Sequence, residues 1–353
     1  MSTATKTRTS PTPNSPTPRS TPRRNSGADI VGRILARPGA SVVSLLIIIC
    51  AVMSVRSSSF LTVSNWENIT NQMVYVTLLA IGMTFVLIVG GIDLSVGSVL
   101  GLCAGLMATL INDRVIFIQA VIITLAAGAA IGLFNGLVIT KLGIPDFVAT
   151  LATLGIGSGL LFLWTSGVPF IGYMYSTYNT VGGVSKLFSW ITFPVVSAIV
   201  VALIASFTLR FTAFGRHLYG VGSNREAARL SGVNVDRIKI GAYAISATLA
   251  AGTGILLAGQ TTTVPPTMGA GYEIEAIAAA VIGGAALSGG RGRVLGAVLG
   301  ALTLTVANNV INLANISSTW QQVVVGAILL LAVVLDRASV YLNRRVGRVS
   351  ASV

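Results

Sequence analysis

The stretch Met73-Val74-Tyr75-Val76-Thr77-Leu78-Leu79-Ala80-Ile81-Gly82-Met83-Thr84-Phe85-Val86-Leu87-Ile88-Val89-Gly90-Gly91-Ile92 carries no charged residue from end to end. A helix crossing hydrocarbon needs roughly 20 such residues, because every backbone N–H and C=O must find its partner within the segment. Comparable charge-free runs lie at Ala40–Val55, Leu94–Asn112, Val115–Thr140, Phe147–Gly167, Ile191–Leu209, Ile240–Gly259, Ala276–Gly290, Val294–Leu313 and Ile316–Leu335. The reading is an all-α polytopic membrane protein of about ten transmembrane helices. These runs are continuously apolar and lack the alternation of a barrel strand. With 53% hydrophobic and 9% charged residues, the chain has no composition for a soluble surface.

Basic residues accumulate on the cytoplasmic side of membrane proteins. With the N-terminus inside, all 23 Lys and Arg except Arg56, Arg114 and Lys186 fall on inner segments. This predicts an N-in, C-in topology. The formal charge of +13 then sits in membrane-flanking loops rather than on one folded face, so it does not indicate nucleic-acid binding. Topology accounts for it, and the expected surroundings are membrane lipid.

The predicted domain order is a cytoplasmic tail at 1–38, a transmembrane domain at 39–336 containing an inner loop at 210–239, and a basic cytoplasmic tail at 337–353. The first segment is rich in Ser, Thr, Pro, Arg and Asn and is expected to be disordered. Its apolar stretch begins only near Ala40, so the first span is expected to be retained rather than cleaved as a signal. The longest outer loop, Val168 to Trp190, carries Tyr173, Tyr175, Tyr178, Phe188 and Trp190, which read either as headgroup anchors or as a contact for an extracytoplasmic partner.

The inner loop is the most informative polar segment. Ser223 and Glu226 are spaced as a capping box, which predicts a short helix through Ala227 and Ala228, exposing both, and ending at Gly232. Asn234 is placed to cap the next helix, which runs through Asp236 and Arg237 into the span at Ile240. A G-G-x-x-L-S-x-G pattern occurs twice, at Gly90–Gly97 and Gly283–Gly290, as a duplicated half would produce.

Asp93 stands within the first of these patterns, and ionisable groups at membrane depth are rare without a reason. Its carboxylate either caps the helix beginning at Leu94 or marks a break that opens polar backbone to a central path. Glu273 and Glu275 fit the N-terminus of the eighth span, or a gate at its mouth. Asn308 and Asn309 lie inside the ninth span and Gln260 at the end of the seventh; such amides either glue helices together or line a path.

Several chemistries are excluded. No G-x-x-x-x-G-K-[ST] loop is present, so ATP binding of that kind must belong to another polypeptide. His217 is the single histidine, Cys50 and Cys103 lie in separate spans, and no Ser-His-Asp or Cys-His arrangement exists. No metal site, disulfide framework or hydrolase is indicated.

Four segments carry a resemblance: Ala80–Thr84 leading into Gly90–Ser98, Phe147-Val148-Ala149-Thr150-Leu151, Gly222–Gly232, and Gly271–Ala279 continuing to Gly283-Gly284. In this order they resemble the ribose-type permeases of ATP-binding-cassette importers, from about residue 40 to Asp336. The resemblance implies a homodimeric pore fed by an extracytoplasmic sugar-binding protein and driven by a cytoplasmic ATPase, with no cofactor on this chain and ATP used by the partner. It further implies that Ser223, Asn224, Arg225, Glu226, Ala227, Ala228 and Gly232 belong to the loop that docks on the ATPase. The tail at 1–38 departs from the family pattern. The candidate translocation path is Asp93, Ser95, Phe147, Gln260, Asn308 and Asn309. A competing function is an ion-coupled secondary transporter using Asp93, which would need no docking helix.

Overall fold

The structure is a computed structural model and describes residues 40–171, 186–188, 191–317, 319–331 and 334. The predicted tails and most of the aromatic outer loop lie outside the described residues. The helices are α1 (Ala40–Arg56), α2 (Val63–Ile88), α3 (Val96–Asn112), α4 (Phe117–Lys141), α5 (Asp146–Trp164), α6 (Phe193–Phe211), α7 (Ala213–Ser223), α8 (Arg225–Leu230), α9 (Val235–Thr261), α10 (Tyr272–Ile282), α11 (Val294–Leu313) and α12 (Thr319–Leu331).

Each predicted span coincides with a helix, but six of them (α2, α4, α5, α6, α9 and α11) are long and apolar enough to cross a membrane. The run Ala276–Gly290 becomes α10, which has 11 residues and stops at Gly283. At 1.5 Å per residue such a helix reaches roughly half the hydrocarbon thickness. The Gly-rich remainder of that run is a loop, because glycine favours the turns seen there over helix.

The helices are not all. β1 (Phe170–Ile171) pairs antiparallel with β4 (Thr263–Val264), and β2 (Lys186–Phe188) with β3 (Ile191–Thr192). Apolar periodicity did not reveal these ribbons, which are only two or three residues long.

α2 is the centre of the bundle, with 83% of its apolar window buried. α4, α5 and α6 bury 22% of theirs and present Ile122, Phe134, Ile156, Phe162, Leu203 and Phe207 outward. Such a shell suits hydrocarbon rather than water. Between α4 and α9 the packing depends on small residues. Gly128, Gly132 and Gly136 recur every fourth residue on one face of α4; a Cβ at Gly132 would stand 2.7 Å from Ala247 Cβ and 2.8 Å from Ala244 Cα. Removing side chains at this spacing lets two backbones approach and gain dispersion contacts where lipid offers no hydrophobic drive.

Candidate functional site

α2 ends at Ile88, and the chain runs unwound through Gly91, Ile92 and Asp93 before α3 begins at Val96. Gly90 turns the chain with φ +79°, a backbone that residues with a Cβ adopt rarely. Asp93 is fully buried in this break. One carboxylate oxygen, Oδ1, accepts from the Ser95 N–H (3.0 Å) and the Ser95 hydroxyl (2.6 Å), while Oδ2 accepts from the Ser246 hydroxyl of α9 (2.9 Å). The capping reading is not met as stated: the helix starts at Val96 rather than Leu94, its N-cap is Ser95 without a side-chain cap bond, and Asp93 instead braces the turn that leads into it.

The network continues outward. Asn135 Nδ2 of α4 donates to the Ser95 hydroxyl at 3.0 Å, and the Thr153 hydroxyl of α5 donates to Asn135 Oδ1 at 2.5 Å. The Ser98 hydroxyl donates to the Ser95 carbonyl at 3.0 Å. Four helices are thus tied to one carboxylate, each buried polar group satisfied by another.

A second cluster adjoins the first. Asp146, at the start of α5, accepts from Lys239 Nζ through Oδ1 (2.6 Å) and from the Tyr243 hydroxyl through Oδ2 (2.8 Å). The same Tyr243 hydroxyl lies 3.2 Å from the Ile92 carbonyl oxygen, so two acceptors face one proton. The Thr150 hydroxyl also faces the Ile92 carbonyl, at 3.3 Å. Sequence reasoning passed over Asn135, Asp146, Thr153, Lys239, Tyr243 and Ser246. Asn135 offered the same signal as Asn308, a bare amide inside an apolar run. Asp146 and Lys239 offered opposite charges at the borders of two spans.

The other candidates are dispersed. Asn309 pairs with Asn65 of α2 by two reciprocal amide hydrogen bonds, the arrangement expected of helix glue. Asn308 contacts Glu275, and its Oδ1 is buried without a partner among the described residues. Phe147 is exposed and Gln260 half-buried, and neither joins the Asp93 network. Glu273 and Glu275 occupy the first turn of α10, and Glu273 Oε1 accepts from the Gly271 N–H at 3.2 Å, which is the helix-terminus reading.

The inner loop forms its short helix with a different cap. α7 runs through Ser223, and Asn224 caps α8 by accepting from the Ala227 N–H at 3.0 Å. The predicted Ser223–Glu226 capping box is absent because Ser223 is spent as the last residue of α7. Glu226 and Ala227 are exposed, but Ala228 is buried, against the expectation that both alanines would face outward. Gly232 ends α8 with φ +82°, and Asn234 caps α9 by accepting from the Arg237 N–H at 3.0 Å. An open cleft of about 450 Å³ lies here, lined by Thr140, Arg225, Arg229, Val233, Asn234, Val235 and Asp236. The Asp236 carboxylate at its rim pairs with Lys141 at 2.8 Å.

Three glycine-bearing segments meet beside this loop. The Gly290 N–H donates to the Ile88 carbonyl at 2.8 Å, and a Cβ at Gly289 would stand 2.8 Å from the Gly222 carbonyl oxygen and 3.1 Å from Gly90 Cα. The two copies of the G-G-x-x-L-S-x-G pattern therefore touch. The Tyr219 hydroxyl adds a bond to the Gly292 carbonyl at 2.7 Å; burial pushes its phenol up, and the Arg293 charge partly offsets this.

An apolar helical bundle, interrupted at a buried polar break and carrying a small capped helix on a basic loop, defines a membrane transport permease. Residues 65–333 match the family described as branched-chain amino acid transport system / permease component. The chain belongs to this family, within which it stands with the ribose-type permeases that its motifs resemble, and it is a multi-pass protein of the cytoplasmic membrane. It is 39% identical over 305 residues to the ribose import permease protein of Escherichia coli K12, covering 84% of this chain and 92% of that one. The ribose import permease protein of Bacillus subtilis 168 is 40% identical over 292 residues, covering 83% and 90%. The autoinducer 2 import system permease protein of Salmonella typhi is 37% identical over 300 residues, covering 83% and 84%. No solved structure matches the chain.

Proposed function

We propose that this chain is the membrane-spanning subunit of an ATP-binding-cassette importer that translocates a monosaccharide, ribose or a close relative, into the cytoplasm by alternating access. The observation that carries the reading is the similarity to ribose import permeases over 84% of the chain. ATP is hydrolysed by a separate cytoplasmic ATPase, a secreted sugar-binding protein delivers the substrate, and a second copy of the permease completes the pore.

In this reading the ten apolar helices cross or enter the bilayer with both termini inside, α10 as a half-length helix. The capped helix α8 and the cleft beside it, presenting Arg225 and Arg229, form the docking surface for the ATPase. An ion-coupled secondary transporter draws less support, since both Asp93 oxygens are occupied by hydroxyl and amide donors.

The test is uptake of labelled ribose in a strain deleted for its own importer, expressing this chain with an ATPase and a secreted binding protein from the same genome. ATP-dependent ribose accumulation that needs all three polypeptides is expected. Accumulation by this chain alone in liposomes under an ion gradient would overturn the reading.

A further inference from the structure

α9 begins at the inner loop and runs without interruption to the far end of the bundle. Its residues Lys239, Tyr243 and Ser246 are spaced four and three apart, so they share one helix face. That face meets the break between α2 and α3 at two points, Ile92 and Asp93, and the start of α5 beside them at Asp146. Lys239 and Tyr243 hold Asp146, the Tyr243 hydroxyl faces the Ile92 carbonyl, and the Ser246 hydroxyl holds Asp93.

The same helix is anchored to the docking loop at its first turns. Ala228 of α8 lies in one buried cluster with Val235, Ile238 and Tyr243 of α9 and with Val86, Ile88 and Val89 at the end of α2. Gly91 leaves the space for the Tyr243–Asp146 bond: a Cβ there would stand 2.5 Å from both Asp146 Oδ2 and the Tyr243 hydroxyl. Tyr243 is fully buried, and its single proton has two acceptors on different segments, the carboxylate of Asp146 and the carbonyl of Ile92. Two alternative pairings of one proton are the kind of discrete element through which coupling between sites is carried.

We propose that Lys239, Tyr243 and Ser246 are positioning residues that relay displacement of the docking helix to the unwound segment 90–95, with Tyr243 exchanging its hydrogen bond between Asp146 and Ile92 as the break opens and closes. The inference rests on the proposed function, in that it takes α8 to be the element the ATPase moves. It adds which residues carry the movement and where it arrives.

The experiment is hydrogen–deuterium exchange on the permease–ATPase complex in lipid nanodiscs, with ATP against ADP, following the amides of 90–95 and of 223–232 separately. In the unaltered protein both segments should respond to the nucleotide, the break by about tenfold in exchange rate, the size of one hydrogen bond made or unmade. In Tyr243→Phe, which keeps the ring and removes the hydroxyl, 223–232 should still respond while the response at 90–95 falls to within about twofold. Ser246→Ala and Lys239→Met should weaken the response at 90–95 in the same way, and Lys239→Arg, which keeps the ion pair with Asp146, should restore it.

Thermal unfolding of each of the four variants guards against simple misfolding. A break that responds fully in folded Tyr243→Phe and Ser246→Ala overturns the relay alone. Absence of any response at 223–232 in the unaltered protein overturns the docking assignment, and the relay with it.

Discussion

Asn309 Nδ2 donates to Asn65 Oδ1 at 2.8 Å, and Asn65 Nδ2 returns a bond to Asn309 Oδ1 at 3.2 Å, so two amides buried in α11 and α2 satisfy each other across the bundle. Asn65 also donates to the Phe60 carbonyl at 3.0 Å, which fixes its orientation.

Asn309→Ala leaves the Asn65 amide with its cross-helix partner gone, at a cost of about 1–2 kcal/mol. Thermal unfolding in detergent should show the loss, and Asn65→Ala should add little more when combined with it. Uptake by the folded fraction should be normal. Lost uptake with unchanged stability would place Asn309 in the substrate path instead.

Asp93→Asn can keep its oxygen on the Ser95 N–H and hydroxyl and place its new donor at the Ser246 hydroxyl, which can rotate to accept it. The expected cost is about 1–2 kcal/mol, with folding retained and transport reduced but present. Asp93→Ala strands the Ser95 and Ser246 donors together, and a loss of about 2–3 kcal/mol should show as poor expression and early unfolding. A stable, assembled Asp93→Asn protein with no transport would argue for a charge required during translocation.

Glu226→Lys leaves the Asn224 cap intact, so the helix itself should lose only about 0.3–1 kcal/mol from the reversed charge in its first turn. Membrane insertion and monodispersity should be unaffected, whereas co-purification of the ATPase and uptake should both fall. Asn224→Ala tests the other half: it costs the helix about 1 kcal/mol and leaves the exposed charge in place. Normal co-purification and uptake in Glu226→Lys would remove α8 from the docking surface.

Gly132→Val places a branched side chain where a Cβ already stands 2.7 Å from Ala247 Cβ. α4 and α9 must then separate, and overpacking of this kind costs about 1–3 kcal/mol. Loss of a monodisperse peak on gel filtration is the expected outcome, while Gly159→Val, where nothing lies within 4 Å, serves as the neutral comparison.

The apolar helices were legible because apolarity is a local property: a run without charge declares itself whatever it packs against, although among the described residues only six of the ten runs form helices long enough to cross a membrane. The capped helix was legible for the same reason, and its cap was misplaced by one residue because Ser223 and Asn224 are both competent caps and only the length of α7 decides between them. The Asp93 network was not legible beyond Asp93 and Ser95. Its other members come from 40 and 153 residues away in sequence, and nothing local to Asn135 or Ser246 announces the partner. Asp146, Lys239 and Tyr243 were hidden likewise, since an ion pair at the edge of two spans looks like two separate flanking charges until the helices are packed.

The junction of Ile88, Gly222 and Gly289-Gly290 is made of main chain, with a Gly290 N–H bonded directly to a carbonyl and no side chain interposed. A library randomising these glycines should therefore return glycine at nearly every surviving clone, since even alanine brings an atom against a carbonyl oxygen at Gly222 and Gly289 and against Ser223 at Gly290. Whoever wishes to redesign the protein for another cargo will have to leave this knot alone and work on the walls around it.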